Sequence, residues 1–321
     1  MRSRICGTGS ALPQLKVTND DLSKRMDTSD EWIRSRTGIA SRHLAVEETL
    51  TSLAAQAAKQ ALKEADVEPN ELDLILSATL SADKLLPSLS CELQRELSAV
   101  NAAAFDINAA CSGFLFALQT ADAYIQCGRY RNILVVGGEI LSRVMDWEDR
   151  STCVLFGDGA GAAVVCADAL HGILESVQGS DGARGDALCC ENRKNNNPYV
   201  TNDVGLSYVS MNGQEVYKFA VRTVPEAIRT VVGRAGLSME EIDLFVLHQA
   251  NRRILESVSK RLGVPMEKFP TNLEHCGNIS AGSVPILLDF VNRQGRIKKG
   301  DRIVLAGFGA GLSWGATVLT W

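Results

Sequence analysis

The chain alternates short apolar runs with amphipathic segments. In GFLFALQTADAYIQC, Phe114, Leu118, Ala121 and Ile125 recur at helical spacing, and Gly128 is placed to stop the helix they define. The run NILVVGG from Asn132 then reads as a strand. The same succession returns later: AGSVPILLDFVNRQ predicts a second helix, with Pro285 tolerable near its start, and DRIVLAG from Asp301 a second strand. Apolar strands alternating with helices predict a layered α/β architecture in which helices cover sheets.

The succession is a repeat of long period. EADVEPNELDLILSATL (64–80) and RAGLSMEEIDLFVLHQA (234–250) both run from a helix end through a polar turn into an aliphatic residue, an Asp and an apolar strand, at an offset of 170 residues. Cys111 precedes Gly128 by 17 positions, Asn278 precedes Gly295 by 17, and both glycines are followed by Arg. Two similar halves are therefore expected, related by a pseudo-twofold axis that sets the strand-to-helix junctions at Cys111 and Asn278 face to face. The boundary falls near residue 170, after FGDGAGAAVVCAD, giving halves 1–170 and 171–321.

Composition narrows the class. The chain has 321 residues, 45% hydrophobic and 22% charged, enough for two core-forming units and ordinary for a globular protein. Its net charge of -5 argues against a general nucleic-acid binder, while local basic clusters could still dock an anionic partner. The start, MRSRICGTGSALP, is interrupted by Gly7, Gly9 and Pro13 before any secretory apolar core, and runs such as ILVVGG are too short to span a bilayer. A cytoplasmic protein with no membrane partner is expected. Nine cysteines without metal-type CxxC pairs indicate neither a disulfide framework nor a metal site.

Against that background, Cys111 in FDINAACSGFLFAL stands out. A small cysteine there is either packing or a nucleophile. At a strand-to-helix junction its sulfur can face the positive end of the helix dipole, which lowers a thiol pKa. Its small neighbours let a carbonyl approach, and its N–H could serve an oxyanion. Of the four histidines, His248 in FVLHQANRR ends an apolar strand at an inner junction of the second half. Asn278 in HCGNISAGS is either a cap or a site residue. LAGFGAGLSWG, with glycines 307, 309 and 311, is either a plain turn or a loop that offers a backbone N–H to an oxyanion.

ACSGF, HQAN, GNISAGSVP and GFGAGLSWG, with DTSDEWIRSRTGI near the start and FGDGAGA mid-chain, resemble the β-ketoacyl-acyl carrier protein synthase III family from end to end. The resemblance implies a duplicated thiolase-like fold in a layered α-β-α-β-α arrangement, in agreement with the repeat. It implies an acyltransferase that condenses an acyl-CoA primer, acetyl-CoA or another short acyl-CoA, with malonyl-acyl carrier protein to initiate fatty acid synthesis. The family's Cys-His-Asn set falls on Cys111, His248 and Asn278, and its backbone oxyanion hole on Cys111 and Ala310. Trp32 and Arg150 resemble the pair that holds the CoA adenine, Arg36 and Arg253 the basic residues at the tunnel mouth, Arg253 facing the carrier protein, and Asn251 the pantetheine contact. The acyl pocket is expected to involve Leu86, Leu141 and Phe156. No cofactor is implied, since acyl-CoA is a substrate, and a homodimer is.

Two stretches depart from the family pattern. Leu86 stands where many members have an aromatic residue, on a loop that reaches the acyl pocket from the partner subunit. DALCCENRKNNNPYVTNDVG (186–205) matches no familiar pattern and is expected to shape an entrance loop. Papain-like hydrolases share the Cys, His, Asn order but lack the duplicated layout and the CSGF context. A degradative thiolase would need a second active cysteine in the C-terminal half, and none follows Cys276. Plant-type polyketide synthases share the triad but are longer, and a non-catalytic acyl-binding protein would not need all three positions. A secondary-metabolite relative with another acyl-CoA or acceptor is the main alternative.

Overall fold

The computed structural model describes residues 2–202, 205 and 207–321. The chain opens with β1 (Arg2–Ala11), β2 (Leu15–Thr18), α1 (Asn19–Ser23), α2 (Asp30–Thr37), β3 (Ser41–Leu44) and α3 (Leu50–Ala65). It continues through β4 (Leu74–Ala78), α4 (Leu89–Leu97), β5 (Ala103–Ile107), α5 (Gly113–Gln126), β6 (Asn132–Ile140) and β7 (Asp158–Asp168). Then come β8 (Gly172–Ser180), β9 (Leu188–Cys189), β10 (Ser210–Met211), α6 (Gly213–Arg234) and β11 (Leu244–Leu247). The remainder is α7 (Arg252–Leu262), α8 (Leu273–Cys276), α9 (Ser283–Arg293), β12 (Arg302–Gly309) and β13 (Ser313–Thr320).

Two mixed sheets carry the fold, with strand orders β1-β7-β6-β4-β5 and β11-β12-β13-β8. In the first, β5, β4 and β6 pair in parallel while the β6–β7 and β7–β1 pairs are antiparallel; in the second, β11 and β12 pair in parallel while the β12–β13 and β13–β8 pairs are antiparallel. Both strand faces are buried, which is why these segments read as unbroken apolar runs. Leu74, Leu76, Ile133 and Val135 join Leu244, Val246, Ile303 and Leu305 around α5 and α9 between the sheets. The alternate positions Ile75, Leu134 and Val136 pack under α3 and α4, and Phe245, Leu247 and Val304 under α6 and α7. The result is the expected α-β-α-β-α layering. Gly7 and Gly9 let α3 lie directly on β1, since a Cβ at Gly7 would stand 2.2 Å from the Ala61 carbonyl oxygen. Residue 170 falls between β7 and β8. Among the described residues no helix is long and apolar enough to cross a membrane.

The equivalence of the halves differs from the sequence expectation at the junctions. The 3-10 turn Ala110–Ser112 leads into α5 as Ser280–Gly282 leads into α9, and both turns open on a left-handed residue, Ala110 at φ 45 and Ser280 at φ 44. The offset there is 170, so Cys111 corresponds to Ala281 and Asn278 to Asn108. The 17-residue spacings agree only because α9, with 11 residues, is three shorter than α5, with 14, which shifts the match at Gly295. Asn108 and Asn278 do the same local work: each side-chain oxygen accepts from the backbone N–H two residues on, Ala110 at 3.3 Å and Ser280 at 2.8 Å.

Candidate active site

The junctions of the two halves converge on Cys111. Its turn at the start of α5 packs against the glycine-rich end of β12, where a Cβ on Gly309 would lie 2.7 Å from Cys111 Cβ and 2.9 Å from its N. Ser112 and Ser313 tie the same two segments through hydroxyls 2.8 Å apart, and Ser313 also donates to the Ala310 carbonyl at 2.8 Å. A cavity of about 150 Å³ on one side of Cys111 is lined by His248, Asn278, Asn251, Phe308 and Gly309. A second chamber of about 70 Å³ also reaches Cys111 and is walled by Leu80, Leu141, Met145, Phe156, Leu188 and Ala310.

Each polar group has a fixed orientation. Asn278 is held through its backbone, its N–H donating to Leu155 O at 2.9 Å and its carbonyl accepting from Gly157 at 2.9 Å. With Oδ1 committed to Ser280, the side-chain NH2 is the group left to face a ligand. His248 follows the last residue of β11, donates its backbone N–H to Ala306 O at 2.8 Å, and sets its ring edge-on to Phe308 at 5.3 Å. Its Nδ1 is buried without a hydrogen-bond partner. Burial pushes His248 down to about 3, so the ring is neutral at pH 7 and a weak base.

Cys111 corrects one expectation. Burial pushes its thiol up to about 12, opposed by the nearby Ser280 hydroxyl and reinforced by the Glu139 charge, so desolvation outweighs the helix dipole. The resting group is a thiol.

The residues expected at an entrance cluster around α2 and α7. Trp32 carries the Arg36 guanidinium 4.5 Å and the Arg150 guanidinium 5.1 Å from its ring centre. Arg150 also bonds Asp27. Arg150 thus stacks on Trp32 directly, and a flat base entering between them has to displace it. Asn251 caps α7 by accepting from Arg253 N at 2.9 Å and donates Nδ2 to Arg36 O at 3.0 Å, so it lines the cavity with its amide already engaged. Arg253 is exposed and donates to Ser35 O at 2.8 Å.

Leu141 and Phe156 wall the small chamber, whereas Leu86 of the same chain is 85% exposed and does not. Within the unmatched segment, Leu188, Cys189 and Cys190 line the small chamber, while 191–201 is exposed. Its residues 203 and 204 lie outside the described residues. Sequence reasoning missed Glu139, which is fully buried and accepts from Thr79 Oγ1, Leu80 N, Ser81 N and Ser81 Oγ. The signal was present, a carboxylate inside the apolar run ILVVGGEI, where a charge needs a reason.

The family description 3-oxoacyl-[acyl-carrier-protein (ACP)] synthase III matches residues 105–182, and that of its C-terminal part matches 232–321, together more than half the chain. A β-ketoacyl-[acyl-carrier-protein] synthase III of Clostridium acetobutylicum is 48% identical over 319 residues, 99% of this chain and 98% of the relative. The crystal structure of the Aquifex aeolicus 3-oxoacyl-[acyl-carrier-protein] synthase III superposes with a TM-score of 0.93 at 46% identity, covering 99% of this chain and all of that one. The priming β-ketosynthase of the R1128 polyketide pathway gives a TM-score of 0.94 at 39% identity, over 99% of this chain and 96% of its own. With full-length relatives at nearly half identity and the same duplicated fold, the chain belongs to the β-ketoacyl-[acyl-carrier-protein] synthase III family of condensing acyltransferases.

Proposed function

We propose that Cys111 takes the acyl group of a short acyl-CoA primer and that His248 and Asn278 activate malonyl-acyl carrier protein for the condensation that follows. The observation that carries this reading is the meeting of Cys111, His248 and Asn278 on one cavity, with a small apolar chamber also reaching Cys111. In the first half-reaction Cys111 Sγ attacks the thioester carbonyl, the bond to CoA breaks, and CoA leaves as the thiol. In the second, malonyl-acyl carrier protein loses carbon dioxide, so a carbanion equivalent forms with no base removing a proton from carbon. What must be stabilised is the enolate oxygen, and two neutral donors suit it: the Asn278 NH2, freed by the commitment of Oδ1, and the neutral His248 ring donating from Nε2. The carbanion attacks the acyl-Cys111 carbonyl, whose oxygen is met by the backbone N–H groups of Cys111 and Ala310. The 3-ketoacyl-carrier protein departs and the sulfur is regenerated. Decarboxylation supplies the driving step, so the chemistry asks for no cofactor.

Trp32, Arg36 and Arg150 serve the nucleotide end of CoA, Asn251 the pantetheine arm, and Arg253 the acidic carrier protein. The protein works as a homodimer. Supporting this, β5 is the outer strand of its sheet, with Phe105 partly exposed and Leu85 and Leu86 almost fully so, the surface a second copy would cover. Leu86 of that copy then closes the small chamber. Likeness to a priming ketosynthase of a polyketide pathway supports a second reading, the same chemistry on another primer or acceptor. Offering a panel of acyl-CoAs with malonyl-acyl carrier protein and reading products by mass separates them: 3-ketoacyl-carrier protein from short primers supports the first, and product only with another acceptor overturns it. His248→Ala and Asn278→Ala are expected to lose decarboxylation by about 10²- to 10³-fold. Cys111 acylation should be far less affected. Collapse of acylation in His248→Ala would indicate a thiol–imidazole dyad instead.

A further inference from the structure

Acylation of Cys111 has to dispose of the thiol proton, and His248, neutral and weakly basic, exerts no charge effect on the sulfur. The one ionisable group acting on the Cys111 thiol among the described residues is Glu139, on β6, the strand on which the Ser280–Gly282 turn packs. Between them sits Ser280. It lines the small chamber beside Cys111, is held at φ 44 by the bond from its N–H to Asn278 Oδ1, and carries a buried Oγ without a hydrogen-bond partner. The turn that carries it packs closely on β6, where a Cβ at Gly137 would lie 2.2 Å from the Ala281 carbonyl oxygen. A strained serine with an unspent hydroxyl, placed against a buried carboxylate and a nucleophilic thiol, calls for an explanation.

We propose that Ser280 and Glu139 form the proton relay that deprotonates Cys111 during acylation, an inference that rests on Cys111 being the acyl carrier. In the step, the Sγ–H proton passes to Ser280 Oγ as the Ser280 hydroxyl proton passes to the Glu139 carboxylate. The Sγ–C bond forms and the C–S bond to CoA breaks. The departing CoA thiolate recovers the proton and Glu139 returns to its charged form. Only one negative charge is present in the buried cluster at any point, which avoids setting a thiolate beside a carboxylate. The four donors from Thr79, Leu80 and Ser81 keep the carboxylate in place through both states. Burial raises Glu139 to about 7, and the Ser280 hydroxyl pulls both it and the Cys111 thiol back towards their charged forms.

The other charged groups on the elements packed around Glu139 are already committed. Asp158 on β7 accepts from Ala45 N, Ser142 N and Ser142 Oγ. Arg143 pairs with Asp83 and reaches the Ser81 carbonyl. Asp122 on α5 holds Ser3 and Gln126, Asp289 on α9 holds Thr8, Ser10 and Arg293, and Glu64 on α3 holds Thr8 and Asn292. Lys59 and Lys63 complete the charged set of α3; Lys59 is exposed and Lys63 lines an open surface cleft with Gln60 and Glu64.

The test is the single-turnover rate of Cys111 acylation by acetyl-CoA between pH 5.5 and 9, with the acyl adduct located by mass. Wild-type acylation should rise through neutrality and then level off. Ser280→Ala and Glu139→Gln should both lower the plateau by about 10²- to 10⁴-fold, the usual range for positioned proton transfer. Both should also lose the rise near neutrality, while Glu139→Asp recovers part of the rate. Malonyl decarboxylation should stay within a few-fold in Ser280→Ala. Unchanged acylation in folded Ser280→Ala, or a uniform drop that keeps the wild-type pH profile, overturns the relay while the Cys111 adduct still forms. Absence of a wild-type adduct at Cys111 overturns the acyl-carrier reading, and the relay with it.

Discussion

Gly309→Ala tests whether the close approach of the β12 loop to Cys111 is a requirement of the chemistry. Gly309 does not adopt a left-handed φ, so alanine there costs nothing in backbone conformation and the effect is steric alone. The added methyl would stand 2.7 Å from Cys111 Cβ and 2.9 Å from Cys111 N, where carbon contacts are ordinarily about 3.5 to 4 Å. The loop and the nucleophile turn must therefore separate by about 1 Å, and neither can yield cheaply, since Ser112 and Ser313 clamp them at 2.8 Å. Overpacking of this kind costs about 1 to 3 kcal/mol of stability. A 1 Å misplacement of reacting groups costs about 10²-fold in rate, and loss of one oxyanion donor about 10² to 10³. Acylation of Cys111, followed by CoA release in a single turnover, is therefore expected to fall at least 10²-fold while the protein remains folded at 25 °C. A variant that acylates within three-fold of wild type would show that the N–H groups of Cys111 and Ala310 do not act together on the acyl oxygen.

The remaining predictions address stability, pH and docking. Gly233, inside α6 with nothing within 4 Å of a Cβ, should accept alanine with a gain of about 0.5 to 1 kcal/mol and no change in activity, read by denaturant melts. His248, at about 3 when folded against an ordinary 6.5, leaves the unfolded chain binding the extra proton; its share of stability is intact above pH 6.5 and is lost as pH falls towards 3. Between pH 6 and 4, wild type should therefore lose stability faster than His248→Asn, with a slope difference approaching about 1.4 kcal/mol per pH unit. Arg253→Ala should raise the apparent KM for malonyl-acyl carrier protein about five- to ten-fold at low salt and flatten its salt dependence, leaving acylation from saturating acyl-CoA intact. Unchanged carrier-protein kinetics would return Arg253 to an ordinary solvated charge.

What the residues alone determined was the layering, the duplication and the chemistry-bearing types. Strands buried on both faces leave unbroken apolar runs, helices leave a 3.6-residue period, and both survive in LILSA, NILVVGG, LFVL and RIVLAG without knowledge of what they touch. Cys111 and His248 were visible because each stands where a strand gives way to a turn or helix, Asn278 because its junction resembles that of Cys111, and the family resemblance joined the three. The exact pairing of junctions was not: the helix length between Asn278 and Gly295 shifts the register by three, and only the paired turns at Ala110 and Ser280 align Cys111 with Ala281. Nor could local sequence give the state of the thiol. A helix start argues for a lowered pKa, but desolvation is a property of everything packed around the sulfur, and it wins. Glu139 lies in the same half as Cys111, but Ser280 comes from the other and joins them only when the two halves close on each other. Burial, orientation and the meeting of distant groups are set by long-range packing, and tertiary structure alone decided them.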